Sequence, residues 1–162
     1  MSHYKSNLRD LEFNLFEVFG VADRMGKAPF QEMDPDTARE VLREVERFAS
    51  GPMAESFVDA DRNPPVYDPA TCTVTMPESF KKSFEALMAA EWWRLDLPEH
   101  MGGMGAPSSL RWAAFEMLLG ANPPAYMFMS GPSFATVLDG LGTEEQKHWA
   151  TLMVDRGWGA TM

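Results

Sequence analysis

The stretch LPEHMGGMGAP, residues 97–107, separates two segments whose apolar residues recur at helical spacing. It contains three glycines and two prolines. Glycine reaches backbone conformations that are closed to other residues, and proline lacks an amide donor, so the stretch is predicted to form a sharp loop. With helical spacing on both sides of this loop, the residues indicate a mainly helical domain.

The helix predicted upstream of this loop begins at Asp34 and Pro35. The Asp34 side chain is suited to accept hydrogen bonds from the free amides of a first turn, and proline has the φ angle of a first helical residue. Apolar residues continue at helical spacing to Ala49, but Gly51-Pro52 interrupts the pattern. We therefore expect either a proline kink or two abutting helices that end near Asp61.

The segment 63–76 is predicted to be non-helical because three of its residues are prolines. Its β-branched part, Thr71–Thr75, suits a short extended piece. A further helix is expected to begin at Pro77 and to end around Trp92-Trp93, just before the glycine-rich loop.

After the loop, a helix is predicted from Pro107 or Ser108 to Gly120. The next apolar segment, residues 126–141, has almost no charge before Asp139. A helix without a polar face has to be covered on several sides. The segment is therefore predicted to be a single central helix that is buried on most sides.

Two further helices are predicted at the ends of the chain. Thr143 and Gln146 have the spacing of a capping box, which predicts a last helix that ends near Gly157. At the other end, residues Leu8–Phe19 have one apolar face, and Gly20 is suited to terminate them as a first amphipathic helix.

The composition limits the class of protein. At 162 residues the chain fits one domain, and its 45% hydrophobic content is enough for a core. The net charge of −10 argues against nucleic acid or an anionic membrane as a partner. No apolar run approaches the length of about 20 residues that a membrane span requires. Because Cys72 has no disulfide partner and no apolar leader opens the chain, a cytoplasmic location is expected.

No constellation in the sequence is typical of a catalytic or metal site. Glu145 and His148 match half of a di-iron helix motif, but the second pair is missing. His3 and His100 have no cysteine or carboxylate at metal-ligand spacing. The glycines of residues 102–105 do not follow a strand, so they do not match a dinucleotide-binding turn. We therefore predict neither a catalytic residue nor a metal ligand.

Two motifs in the chain resemble the N-terminal helical domain of acyl-CoA dehydrogenases. One is LPE at residues 97–99 with GGMG at residues 102–105, which resembles the family's loop between its second and third core helices. The other is GTEEQK at residues 142–147, which resembles the start of the last helix before the family's flavin-binding β-domain. The likeness covers about residues 34–162, which the resemblance implies form one all-α domain folded as a helical bundle, preceded by an extension with one helix at residues 1–33. The extra first helix and the insert at residues 63–76 are similar to an extended branch of the family often found in bacteria.

The resemblance implies that the complete enzyme binds FAD and removes hydrogen from the α and β carbons of an acyl-CoA substrate, as in fatty-acid β-oxidation. The expected partners of this chain are the flavin-binding β-domain and the C-terminal helical bundle of the full-length enzyme, which is expected to be a homo-oligomer. Both parts lie outside the chain. Because the family's catalytic glutamate belongs to that bundle, the chain alone is expected to be inactive.

The same resemblance implies that the apolar segment after Pro124 forms one wall of the acyl pocket. The expected substrate-binding residues are Tyr126, Met127, Met129, Ser130 and Ser133. Met162 lies about where the family's flavin contacts begin, so it is the expected cofactor-binding residue. Two alternatives remain open: a non-catalytic helical interaction module, and a subunit completed in trans by a flavin-carrying chain. The codons that follow Met162 would distinguish them from the enzyme.

Overall fold

The computed structural model describes residues 2–160. Within this range, helices dominate and one two-stranded hairpin projects from them. The elements are α1 (Leu8–Glu12), α2 (Pro35–Phe48), α3 (Phe57–Arg62), β1 (Val66–Asp68), β2 (Thr73–Thr75), α4 (Glu78–Ala90), α5 (Ser108–Ala121), α6 (Pro123–Phe128), α7 (Gly131–Leu141) and α8 (Glu144–Asp155). The prediction of a helical bundle is confirmed. No helix in the described part of the chain is both long and apolar enough to cross a bilayer.

Helix α5 is the most enclosed element of the core. Seven of its residues are buried, which are Leu110, Ala113, Ala114, Phe115, Met117, Leu118 and Ala121. It packs against α2, whose Leu42 and Val45 are fully buried. Apolar side chains that are removed from water in this way supply the main driving force for folding.

Helix α2 begins as the sequence predicts. The Asp34 carboxylate accepts hydrogen bonds from the amides of Asp36 and Thr37, which have no partner within the helix. A wider π-helical turn, Ala49–Met53, follows α2 and contains the non-helical Gly51. Because α3 then begins at Phe57, the structure has two abutting helices rather than one helix with a kink.

The hairpin β1–β2 lies between α3 and α4, in the segment predicted to be non-helical. Val66 pairs with Thr75 and Asp68 with Thr73 in antiparallel register. The extended piece predicted at Thr71–Thr75 is confirmed only for Thr73–Thr75. The partner strand β1 begins directly after Pro65. The sequence of neither strand indicated the hairpin, because the pairing depends on a turn that brings the two short segments together.

The predicted first helix is only partly α-helical. Helix α1 ends at Glu12, and a π-helix continues it through Phe13–Val18. Gly20 has a φ of +58° and ends the segment as expected. The extension is attached to the core, since the Ser6 hydroxyl hydrogen-bonds to the Glu46 carboxylate.

The prediction of a single central helix at residues 126–141 is wrong. Helix α6 ends at Phe128, and α7 begins only at Gly131. Pro132 explains the break, because proline lacks the amide that would bond to residue 128 and its ring clashes with that carbonyl. The segment is also less buried than predicted, since Val137 and Leu141 are exposed.

Candidate functional site

The candidate site is the segment that the resemblance assigns to the acyl pocket, residues 126–133, formed by the end of α6, the turn after it and the start of α7. We call this segment the acyl wall after that expectation. Asn122 fixes the beginning of α6. Its side-chain oxygen accepts from the amide of Ala125 at 3.3 Å, and its amide group donates to the Met53 carbonyl at 2.9 Å and to the Ser56 hydroxyl at 3.0 Å. Asn122 is only 1% exposed. The wall therefore starts from a point that is anchored in the core.

The turn between α6 and α7 is held by the last described residues of the chain. The Ser130 hydroxyl donates to the Ala160 carbonyl at 2.8 Å and accepts from the Ala160 amide at 3.3 Å. A Cβ at Gly131 would overlap the carbonyl of Trp158, so only glycine permits this approach. The segment after α8 therefore lies directly against the turn.

The five predicted substrate-binding residues differ in exposure. Met127 is 67% exposed and Ser133 is also exposed, whereas Met129 is only 4% exposed and packs in the core. Tyr126 and Ser130 are partly buried. The structure therefore brings Met127 and Ser133 to the surface of the acyl wall and places Met129 behind it. Met162, the expected cofactor contact, lies outside the described residues.

A polar cluster that the sequence did not indicate supports the wall. We call it the Arg111 cluster, and it consists of Asp96, Arg111, Tyr126 and Ser133. Arg111 Nε lies 3.3 Å from Asp96 Oδ2, and the two side chains are only 12% and 23% exposed. The terminal guanidinium nitrogen of Arg111 donates a hydrogen bond to the Ser133 hydroxyl. The cluster thus joins the start of the glycine-rich loop, α5 and the first turn of α7.

Aromatic rings complete the surroundings of Arg111. Its guanidinium carbon lies 4.6 Å from the ring centroids of both Trp112 and Phe115. Phe115 in turn meets the Tyr126 ring edge-on, with centroids 5.3 Å apart. Cation–π and edge-to-face contacts of this kind are directional as well as attractive. These contacts hold the Phe115 ring and the Arg111 guanidinium in fixed orientations next to Tyr126.

Burial changes the acidity of two groups in the Arg111 cluster. Desolvation raises the pKa of Asp96 above its usual value, although the charge of Arg111 opposes the shift. Desolvation also raises the pKa of Tyr126 above 10.0, with Arg111 again opposing and Asp96 adding to the rise. The Tyr126 hydroxyl is therefore protonated at neutral pH and keeps its hydrogen-bond donor.

The backbone amides of the glycine-rich loop are hydrogen-bonded to the chain segment just before it, so they are not available to bind the phosphates of a flavin nucleotide. The amides of Gly103, Met104, Gly105 and Ala106 donate to backbone carbonyls of residues 94–98 at 2.8 to 3.1 Å. A phosphate-binding loop needs free amides that point at the ligand. Since these amides are occupied, the described loop offers FAD no phosphate cradle.

The remaining histidine and cysteine side chains that the structure describes are not grouped into a metal site. No three His, Cys, Asp or Glu side chains among residues 2–160 are grouped as a metal site would require. His100 Nε2 lies 2.9 Å from Asp139 Oδ2, which ties the glycine-rich loop to α7. Cys72 is an exposed free thiol in the hairpin turn.

An apolar groove of about 450 Å³ lies beside the start of the wall, between the hairpin and the helices α3, α4 and α6. Phe128 lines this groove and also contacts Phe80 and Phe84 edge-on, at centroid distances of 5.6 and 6.0 Å. The same ring therefore lines the groove and holds α6 against α4.

Comparison with known proteins agrees with the helical architecture and with both motifs. Residues 35–154 match the family model described as acyl-CoA dehydrogenase, N-terminal domain. The whole chain is 55% identical to the broad-specificity linear acyl-CoA dehydrogenase FadE5 of Mycobacterium tuberculosis, over 162 residues. The match covers 100% of this chain and 26% of that protein, so the chain spans about a quarter of the relative's length. The chain belongs to the acyl-CoA dehydrogenase family and carries its N-terminal helical domain.

Proposed function

We propose that this chain is the N-terminal helical part of a flavin-dependent acyl-CoA dehydrogenase and that residues 126–133 form one wall of its acyl pocket. The observation that carries the proposal is a match over the whole of this chain to an enzyme named for linear acyl-CoA substrates, in a chain whose two family motifs lie on either side of the partly exposed wall. Residues 1–33 are the extension in this proposal, and residues 34–162 are the domain.

Within the wall, we assign different roles to the five candidate residues. The exposed Met127 and Ser133 and the half-buried Tyr126 contact the acyl chain. Met129 and Ser130 support them from behind, through core packing and through the bond to Ala160. An unbranched thioether side chain adapts its shape to its neighbours, which suits Met127 to a pocket that accepts acyl chains of different lengths.

The reaction itself needs groups that lie outside the described residues. In the complete enzyme, a flavin-binding β-domain holds FAD, with Met162 at the edge of its site, and a C-terminal bundle supplies the catalytic base. We propose that the complete enzyme is a homo-oligomer. A reducing compartment such as the cytoplasm agrees with the unpaired, exposed thiol of Cys72.

The proposal predicts a sharp difference between the chain alone and the complete enzyme. Purified with added FAD, the chain alone is expected to show no flavin absorbance and to reduce no electron acceptor with acyl-CoA. The complete enzyme is expected to hold one FAD per subunit, whose visible absorbance bleaches when acyl-CoA is added without oxygen. Turnover by the chain alone, or a complete flavoprotein that no acyl-CoA bleaches, would contradict the proposal.

A further inference from the structure

We propose that Arg111 is a positioning residue that fixes Ser133 on the acyl wall and thereby sets how strongly the enzyme discriminates between acyl chains of different length. This inference rests on the proposed function. Arg111 itself does not touch the substrate in this proposal, since its guanidinium lies behind the wall, between Asp96 and two aromatic rings.

The position of the Arg111 guanidinium is determined from several directions at once. Asp96 balances its charge, and Trp112 and Phe115 fix its plane. Arg111 Nε is buried and has no aligned hydrogen-bond acceptor, although Asp96 is close. Its Ser133 contact is therefore the directed hydrogen bond that the guanidinium makes toward the wall. A planar, pre-organised donor loses little side-chain entropy when it forms such a bond.

The bond to Arg111 determines what Ser133 presents to a ligand. A serine hydroxyl has one donor hydrogen and two acceptor lone pairs, and it rotates freely when it has no partner. With one lone pair occupied by a charged donor, the hydroxyl is held in place and cannot swing into the space beside it. The first turn of α7 is likewise held against α5. Arg111, a residue of α5, thus fixes how much space Ser133 leaves for an acyl chain beside the wall.

The Arg111 guanidinium is also linked to Tyr126 indirectly, because both contact the Phe115 ring. Arg111 lies over one face of the Phe115 ring, and the Tyr126 ring meets Phe115 edge-on. Loss of Arg111 would therefore loosen two candidate substrate contacts together and leave Asp96 partly buried without its cation. An unpaired carboxylate in that position favours rearrangement of the loop around it.

The test compares substrate profiles of the complete enzyme. The measured quantity is the ratio of kcat/KM for a short and a long straight-chain acyl-CoA, because one methylene in an apolar pocket typically changes discrimination 10- to 200-fold. We expect Arg111→Met to change this ratio at least about tenfold while FAD content stays at wild type. An unchanged ratio would overturn the inference.

A double-mutant cycle separates positioning from general damage. If Arg111 acts through Ser133, Ser133→Ala alone changes the ratio, and Arg111→Met has a smaller effect in the Ser133→Ala background than in the wild type, where the remaining effect is the part that passes through Phe115 and Tyr126. Multiplicative effects of the two substitutions would overturn the inference. If Arg111→Met fails to fold, Ser133→Ala and Arg111→Lys decide, because lysine keeps a positive charge beside Asp96 but lacks the planar fork that reaches Ser133. Both variants must then change the ratio in the same direction.

Arg39→Met is the matched control. Arg39 also lies over an aromatic ring, 4.2 Å from the centroid of Phe16, and beside a carboxylate, 3.4 Å from Asp36. It is on α2, outside the Arg111 cluster, so its loss should leave the ratio unchanged. A wild-type enzyme that does not oxidise acyl-CoA would refute the proposed function, whereas an active enzyme with an unaltered ratio would refute only the role of Arg111.

Discussion

Replacing Asn122 by alanine is expected to lower the free energy of unfolding of this chain by at least about 3 kcal/mol. The substitution removes the cap of α6 and leaves the Met53 carbonyl and the Ser56 hydroxyl buried without their partner. A lost cap costs about 1 kcal/mol, and each buried polar group left unpaired costs about 1 to 3 kcal/mol. Urea denaturation followed by tryptophan fluorescence measures the change.

Asn63→Ala is the control for this prediction. The Asn63 side chain also hydrogen-bonds, to Asp59, but both groups are exposed and water replaces the bond. The urea concentration at the unfolding midpoint of Asn63→Ala should remain close to that of the wild type. If the two asparagine variants unfold at the same urea concentration, the buried network around Asn122 does not stabilise the start of the acyl wall.

Gly103→Ala is expected to lower the free energy of unfolding by at least about 3 kcal/mol. A Cβ at this position would overlap the backbone carbonyl of Leu97, and neither side of that contact is a flexible side chain. The loop would have to open and lose the hydrogen bonds between residues 94–98 and 103–106. Strain of this kind accounts for some of the largest losses that single substitutions cause.

Gly105→Ala separates steric overlap from backbone conformation. Gly105 has a φ of +58°, which costs other residues about 1 to 2 kcal/mol, but a Cβ there would meet nothing within 4 Å. Thermal unfolding of both variants should therefore show the larger loss for Gly103→Ala. The reverse order would mean that the loop does not pack against Leu97 as the structure has it.

Features that depend on a few neighbouring residues could be predicted from the sequence. The cap at Asp34 is one example, and the capping box is another, in which the Thr143 hydroxyl accepts from the Gln146 amide and the Gln146 side chain accepts from the Thr143 amide. In each case donor and acceptor lie within three residues, so their spacing in the sequence already determines the contact.

The break between α6 and α7 does have a local signal in the sequence. Pro132 forbids a continuous helix through residue 128, but the low charge of the segment suggested one long buried helix instead. The extent of burial was overestimated for the same reason. An apolar residue is exposed or covered according to its neighbours in space, and the sequence does not show those neighbours.

The candidate site was located only to within a segment. Resemblance to the family indicated residues 126–133, yet the opposite exposures of Met127 and Met129 depend on how α6 packs against the core. The Arg111 cluster gave no signal, because Asp96 and Arg111 are fifteen positions apart on different elements and become partners only when the glycine-rich loop turns back. Such pairs are set by tertiary structure rather than by spacing.

Photolabelling of the complete enzyme would test the acyl wall itself. An acyl-CoA with a photoreactive group at the end of its acyl chain is bound and irradiated, and the labelled residues are identified by mass spectrometry of peptides. An excess of unlabelled acyl-CoA serves as the competition control. We predict competed labelling within residues 126–133, at Met127 above all. Competed labelling that lies entirely outside this segment, in an enzyme that oxidises acyl-CoA, would contradict the proposed wall.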